Sequence, residues 1–198
     1  MKQDESKFHL LTQKYPVAHM TLTLLLLTAI VAFALGFVNA QTAPVIEALQ
    51  IEALMKAVSG VIPGAEGDPK ILEGEWARPV KSVRESYNSA GELLGYAVEV
   101  APGGFGGAIR MLVGLSPDGT VTGVTVLDMK ETPNLGTKVR GEEFLEQYNG
   151  RGSGFKMGSG QEDVQAISGA TVSSQATYEG VKAAIATVLQ ITEGGASE

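Results

Sequence analysis

The sequence predicts an α+β protein with one N-terminal transmembrane helix, followed by an extracytoplasmic domain built from an antiparallel sheet and flanking helices. Three observations carry this. An uncharged apolar run stands near the N-terminus, four segments of period-two hydrophobicity follow one another with short links, and a long helical pattern comes last.

The apolar run from Val17 to Val38 contains no Asp, Glu, Lys or Arg. At a rise of ~1.5 Å per residue it is about 33 Å long, enough to cross a hydrocarbon core of about 30 Å. Pro16 suits the first position of a helix. The transmembrane helix is therefore placed at residues 16–39, with 1–15 as a cytoplasmic segment. A cleavable signal peptide is the alternative, with Val38-Asn39-Ala40-Gln41 as a faint cleavage site, but its apolar core is ordinarily shorter. Lys2, Lys7 and Lys14 precede the run and no basic residue follows it until Lys56, so the positive-inside rule exports the rest of the chain. His19, one turn into the span, reads as a polar residue near the interface.

Residues 40–192 form the exported domain. Residues 45–58 place Val45, Leu49, Ala53 and Ala57 on one face with Ile46 and Leu54 beside it, an amphipathic helix starting after Pro44. Ser59 to Glu75, rich in Gly and Pro, reads as loop. Val80–Tyr87, Leu93–Val100, Ile109–Leu115 and Val121–Leu127 then alternate as strands. Asn88-Ser89-Ala90-Gly91 and Ser116-Pro117-Asp118-Gly119 make the turns of the outer pairs, and Ala101–Gly107 is a looser link. Short links between successive strands imply a meander rather than parallel crossovers. Gly141–Tyr148 reads as a short helix. Residues 173–192 form the final helix, capped by Ser173 or Ser174, with Val181, Ala184, Ile185 and Val188 facing inward. Residues 193–198 are a flexible tail.

Composition removes several chemistries. The 198 residues include no cysteine, so disulfides, thiolate metal sites and cysteine nucleophiles are excluded. The two histidines, His9 and His19, both precede the domain, which leaves it no imidazole for a Ser-His-Asp arrangement. A formal net charge of −7 opposes nucleic-acid binding, which needs clustered Lys and Arg.

Three local features remain. Ser168-Gly169-Ala170-Thr171-Val172-Ser173-Ser174 sets small residues and hydroxyls at the start of the final helix. This is either an anion site favouring phosphate or an ordinary helix cap. Glu131-Thr132-Pro133-Asn134-Leu135-Gly136-Thr137-Lys138 follows the fourth strand as a rigid loop with donors, or as a plain turn. Gly103-Gly104-Phe105-Gly106-Gly107 is glycine-rich but fits neither phosphate-loop nor dinucleotide fingerprints.

Together with Leu35-Gly36-Phe37-Val38-Asn39-Ala40 at the end of the span and Gly95-Tyr96 in a strand, these motifs resemble the G subunit of the Rnf electron-transport complex. They also resemble the related C subunit of the sodium-pumping NADH:quinone reductase. The resemblance runs from the span to residue 192 and implies an FMN-binding domain. Ala166-Ile167-Ser168-Gly169-Ala170-Thr171 is similar to the family's flavin-attachment sequence, whose final threonine is esterified to the 5′-phosphate of FMN. Carried over, Thr171 is the covalent acceptor, with Ser168, Gly169, Ala170, Val172 and Ser173 around it. Thr132, Leu135 and Gly136 are the expected contacts for the ring or ribityl chain, and Lys138 is a candidate to stabilise reduced flavin. The chain departs from the family pattern at Gln165, where an acidic residue is usual and Asp163 lies two residues earlier. It departs again at Met129, usually histidine, and at Asn134, usually glycine; asparagine tolerates the left-handed backbone that glycine supplies there.

The resemblance implies an electron-relay subunit of an ion-translocating ferredoxin:NAD⁺ oxidoreductase in the cell membrane. Its partners would be the other membrane and redox subunits, a flavin transferase for maturation, and membrane lipid. A cofactor explains how a domain without thiol or imidazole performs redox chemistry. Two alternatives stay open from the sequence: the quinone-reductase C subunit, and a non-catalytic anchored module whose Ser168–Ser174 segment only caps a helix.

Overall fold

A computed structural model describes residues 16–158 and 164–194. The expected cytoplasmic segment 1–15, Asp163, the side chain of His19 and tail residues 195–198 lie outside the described residues. The chain divides into an N-terminal unit ending at Ile51 and a folded unit running from Glu52 to the C-terminus.

Helix α1 runs unbroken from Pro16 to Val61. The sequence predicts a new helix after Pro44. Instead Pro44 sits inside one continuous helix, although proline forfeits a backbone donor there. Nearby, the Thr42 hydroxyl donates to the Val38 carbonyl at 3.0 Å, one turn back. Met20–Pro44 is long and apolar enough to cross a membrane, and its large side chains, Leu24, Leu25, Phe33 and Phe37 among them, are exposed. Leu49 and Ile46, part of the expected amphipathic stripe, are also exposed; the packed apolar face of α1 begins later in the helix, with Leu54 and Ala57 partly buried and Val58 and Val61 buried.

The folded unit is built on a five-stranded antiparallel meander in the order β1-β2-β3-β4-β5. Strands β2 (Val80–Tyr87), β3 (Leu93–Val100), β4 (Arg110–Leu115) and β5 (Val121–Asp128) occupy the four alternating segments. Strand β1, Lys70–Leu72, is a correction, because the sequence reads that stretch as loop. It pairs with β2, Ile71 opposite Arg84, and closes one edge of the sheet. A strand of three residues is too short to show an alternation. The hairpin turns follow their chemistry: Gly91 and Gly119 adopt φ of 79° and 81°, and the Asn88 side-chain oxygen accepts the N–H groups of Ala90 and Glu92 at 2.9 Å.

Both faces of the central strands are buried. On one face, Val98, Val100, Met111 and Val113 pack against the final helix α3, Thr171–Gly194, through Val181, Ala184, Ile185 and Val188. On the other, Ala97 and Leu112 pack against Val58, Val61 and Ile62 at the end of α1. Beside this second patch Glu99 is clamped by Arg110 at 2.7 Å and Arg84 at 3.7 Å, which neutralises a carboxylate in the sheet.

The expected short helix at Gly141–Tyr148 is broken into smaller pieces. A 3₁₀ turn at Gly136–Arg140 leads into α2 (Glu142–Leu145), and a second 3₁₀ turn follows at Glu146–Tyr148. Phe144, Tyr148, Phe155 and Tyr178 form a chain of edge-to-face aromatic contacts with centroids 5.1–5.9 Å apart. This chain fixes the segment on α3.

Candidate functional site

Three loops converge at the N-terminus of α3. The glycine-rich link between β3 and β4 supplies Phe105, the loop after β5 supplies Glu131, Thr132, Leu135 and Gly136, and the last turn before α3 supplies Gly169 and Ala170. With Thr171, Val172 and Ser173 they line a cavity of about 330 Å³. That volume lies at the lower end of the range for small-molecule sites.

Helix α3 starts at Thr171, so the expected cap assignment is corrected. Ser174 is buried, donates to the Ala170 carbonyl at 2.9 Å and accepts the Ile167 N–H at 3.0 Å, locking the turn before the helix. Ser173 is also buried and turns to Glu131. Neither hydroxyl is spent on an N-cap. Thr171, by contrast, is exposed in the first helical turn, where N–H groups lack intrahelical partners and a phosphate is favoured.

The loop after β5 has the shape its residues require. Asn134 adopts φ of 61°, the left-handed conformation expected where glycine is usual. The Thr132 carbonyl accepts the N–H groups of Leu135 and Thr137, closing the loop on itself. Leu135 is 46% exposed, Val172 53% and Phe105 74%; three large apolar side chains thus rim the cavity and are available to a flat apolar ligand. Gly169 has φ of 78°, a backbone conformation that glycine adopts freely, and lines the cavity without a side chain of its own.

The cavity unites eight of the ten residues singled out in the sequence: Gly169, Ala170, Thr171, Val172, Ser173, Thr132, Leu135 and Gly136. Ser168 is exposed in the adjoining turn, outside the cavity wall. Lys138 lies on the first 3₁₀ turn and lines a separate cavity of about 480 Å³ with Gln165 and Ile167. Gln165 is held by its N–H donating to the Gln147 side chain at 2.7 Å. Met129, at the position of the family's histidine, packs on the main core.

Sequence reasoning does not single out Phe105 or Glu131 as binding residues. Phe105 carries a sequence signal, an aromatic residue isolated among four glycines. Glu131 is 8% exposed, and its oxygens accept the Gly106 N–H at 3.2 Å and the Ser173 hydroxyl at 3.0 Å.

Comparison with known proteins meets this geometry. Residues 104–186, which contain every residue lining the cavity, match the FMN-binding domain model. The G subunit of the Na(+)-translocating ferredoxin:NAD(+) oxidoreductase complex of Acetobacterium woodii is 32% identical over 187 residues, covering 85% of this chain and 90% of that protein. The G subunit of the ion-translocating oxidoreductase complex of Methanosarcina acetivorans is 30% identical over 176 residues, covering 85% and 93%. The crystal structure of Shewanella oneidensis NqrC shares the fold, with a TM-score of 0.59 over 74% of this chain and 99% of that one, at 16% identity. Likeness to the quinone-reductase C subunit is therefore one of fold, whereas likeness to the G subunits extends along most of the sequence. An exposed threonine at a helix start, an apolar rim and a glycine-backed cavity suit the anionic end and flat ring of an FMN. The chain belongs to the G-subunit family of ion-translocating oxidoreductase complexes and carries that family's FMN-binding domain.

Proposed function

We propose that the protein is the flavin-bearing electron relay of a membrane-bound, ion-translocating ferredoxin:NAD⁺ oxidoreductase, with FMN joined through its phosphate to Thr171. The observation that carries the reading is Thr171 itself. It is an exposed hydroxyl in the first turn of a long helix, in the wall of a cavity shared with the loop Glu131–Gly136. FMN supplies reversible electron transfer when bound; the chain supplies position, insulation and a tether.

Each residue has a distinct task. Thr171 offers the oxygen for the phosphoester, and the helix start places partial positive charge against the phosphate. Gly169 lets backbone approach the cofactor, and Gly136 lines the same cavity while leaving room for Glu131. Phe105, Leu135 and Val172 supply apolar surface for the ring, and Thr132 supplies polar contacts for ring or ribityl chain. Lys138, in its separate cavity, stands apart from that role. A covalent tether holds the flavin at high effective concentration for two electron partners and prevents its loss outside the cytoplasm.

In this reading α1 anchors the chain as a single pass, residues 1–15 remain cytoplasmic and the folded unit faces the extracytoplasmic side. Maturation requires a flavin transferase that reads the segment before Thr171. The redox neighbours are the other subunits of the complex. The span carries no acidic residue, so ion passage belongs to those neighbours. Flavin fluorescence of the denatured, gel-separated chain tests the attachment: the native chain should fluoresce, and Thr171→Ala should not.

A further inference from the structure

Glu131 is a buried carboxylate at the meeting point of all three loops. One oxygen accepts the Gly106 N–H at 3.2 Å, from a residue 25 positions earlier, and the other accepts the Ser173 hydroxyl at 3.0 Å, from a residue 42 positions later. Among the described residues no Lys or Arg lies within ion-pair distance of it; both ion pairs there belong to Glu99. The surrounding glycines are cut to its shape. A Cβ at Gly104 would collide with Oε1, and one at Gly136 would collide with Oε2. A carboxylate buried without a cation is costly, and this one is satisfied only while the glycine-rich loop and the first turn of α3 both reach it.

We infer that Glu131 is the positioning residue of the flavin pocket. It latches the Phe105 loop to the Thr171 helix turn across the loop between them, so the cavity is formed before the cofactor arrives. The inference rests on the flavin reading above. It adds a consequence of charge: a carboxylate in the cavity wall opposes electron density on the ring and so holds the flavin potential down.

Two variants of the full-length chain separate these effects. Glu131→Gln keeps an acceptor for Gly106 and removes the charge, whereas Glu131→Ala removes the latch. In flavin-free Thr171→Ala protein, adding Glu131→Ala should speed hydrogen exchange of the Gly106 amide at least tenfold, with the Val98 amide in the core unchanged as a control. Adding Glu131→Gln instead should leave Gly106 protected. In the flavin-loaded chain, Glu131→Gln should keep the Thr171 adduct and titrate at a higher midpoint potential. Unchanged exchange at Gly106 in the alanine variant, or an unchanged potential in the glutamine variant with its adduct present, overturns the inference. Absence of an adduct from the native chain overturns the flavin reading instead, and the exchange experiment still decides the latch.

Discussion

The Thr122 hydroxyl donates to the carbonyl of Val61 at 2.6 Å, joining edge strand β5 to the last residue of α1. This contact is made where the helix end lies directly on the sheet. A side chain at Gly114 would collide with the Val61 carbonyl, and one at Gly123 would press on the Val61 backbone. The helix thus ends against the sheet in a space that only glycine leaves open.

Gly114→Ala should therefore destabilise the folded unit by about 1–3 kcal/mol, the usual cost of overpacking. Thr122→Val, which deletes the hydrogen bond and keeps the shape, should cost about 1 kcal/mol. Chemical denaturation of the detergent-solubilised chain measures both. A Gly114→Ala variant as stable as the native protein would contradict the close approach.

Tyr148 makes a different prediction. Its ring is fully buried between Phe144 and Phe155, and its hydroxyl has no partner among the described residues. Burial, with a smaller contribution from Tyr178, raises the phenol well above its ordinary value. Tyr148→Phe should then leave the fold intact and stabilise it by about 1 kcal/mol, since an orphaned polar group is removed. The sign with pH follows. Above the ordinary phenol pKa of about 10 the unfolded chain releases this proton while the folded chain keeps it, so native stability falls as pH rises from there. Denaturation midpoints at pH 8 and pH 11 should show a smaller alkaline loss in Tyr148→Phe.

Much of this architecture was legible because its signals are periodic. Val80–Tyr87 and Leu93–Val100 alternate, their turn carries Asn88 and Gly91, and the structure pairs them as an antiparallel hairpin. The inward face of α3 likewise follows from Val181, Ala184, Ile185 and Val188. What escaped depends on partners far away in the chain. Ser173 and Ser174 have the chemistry of caps, yet Glu131 and the Ile167–Ala170 turn claim them. Glu131 looks like an exposed loop acid until Gly104, Gly106 and Gly136 are seen to surround it. The helix through Pro44 escaped because proline interrupts a local pattern without ending the helix.

The ring contacts can be tested individually. Leu135→Ala and Phe105→Ala each remove an exposed apolar side chain that lines the cavity and belongs to neither buried core cluster. Each should leave the Thr171 adduct in place while changing the flavin absorption envelope and midpoint potential. Spectra and potentials identical to the native protein in both variants would exclude these side chains from the ring site.

Sidedness rests on lysine asymmetry around the apolar run. Protease added to intact spheroplasts should remove the folded unit from Glu52 onward and leave the anchored segment. Cleavage seen only after permeabilisation would place the domain in the cytoplasm.

The central claim is that one hydroxyl carries the cofactor. Thr171→Ala should lose the flavin and keep the fold, because Ser174 still locks the preceding turn and alanine suits a first helical turn. Thr171→Ser should retain part of the flavin. The most direct measurement is the mass of the proteolytic peptide containing Ser168–Ser174, taken from chain purified from the assembled complex and sequenced by fragmentation. An FMN-mass phosphoester adduct on Thr171 is the predicted result; an unmodified peptide, or an adduct on Ser168, Ser173 or Ser174, would contradict it.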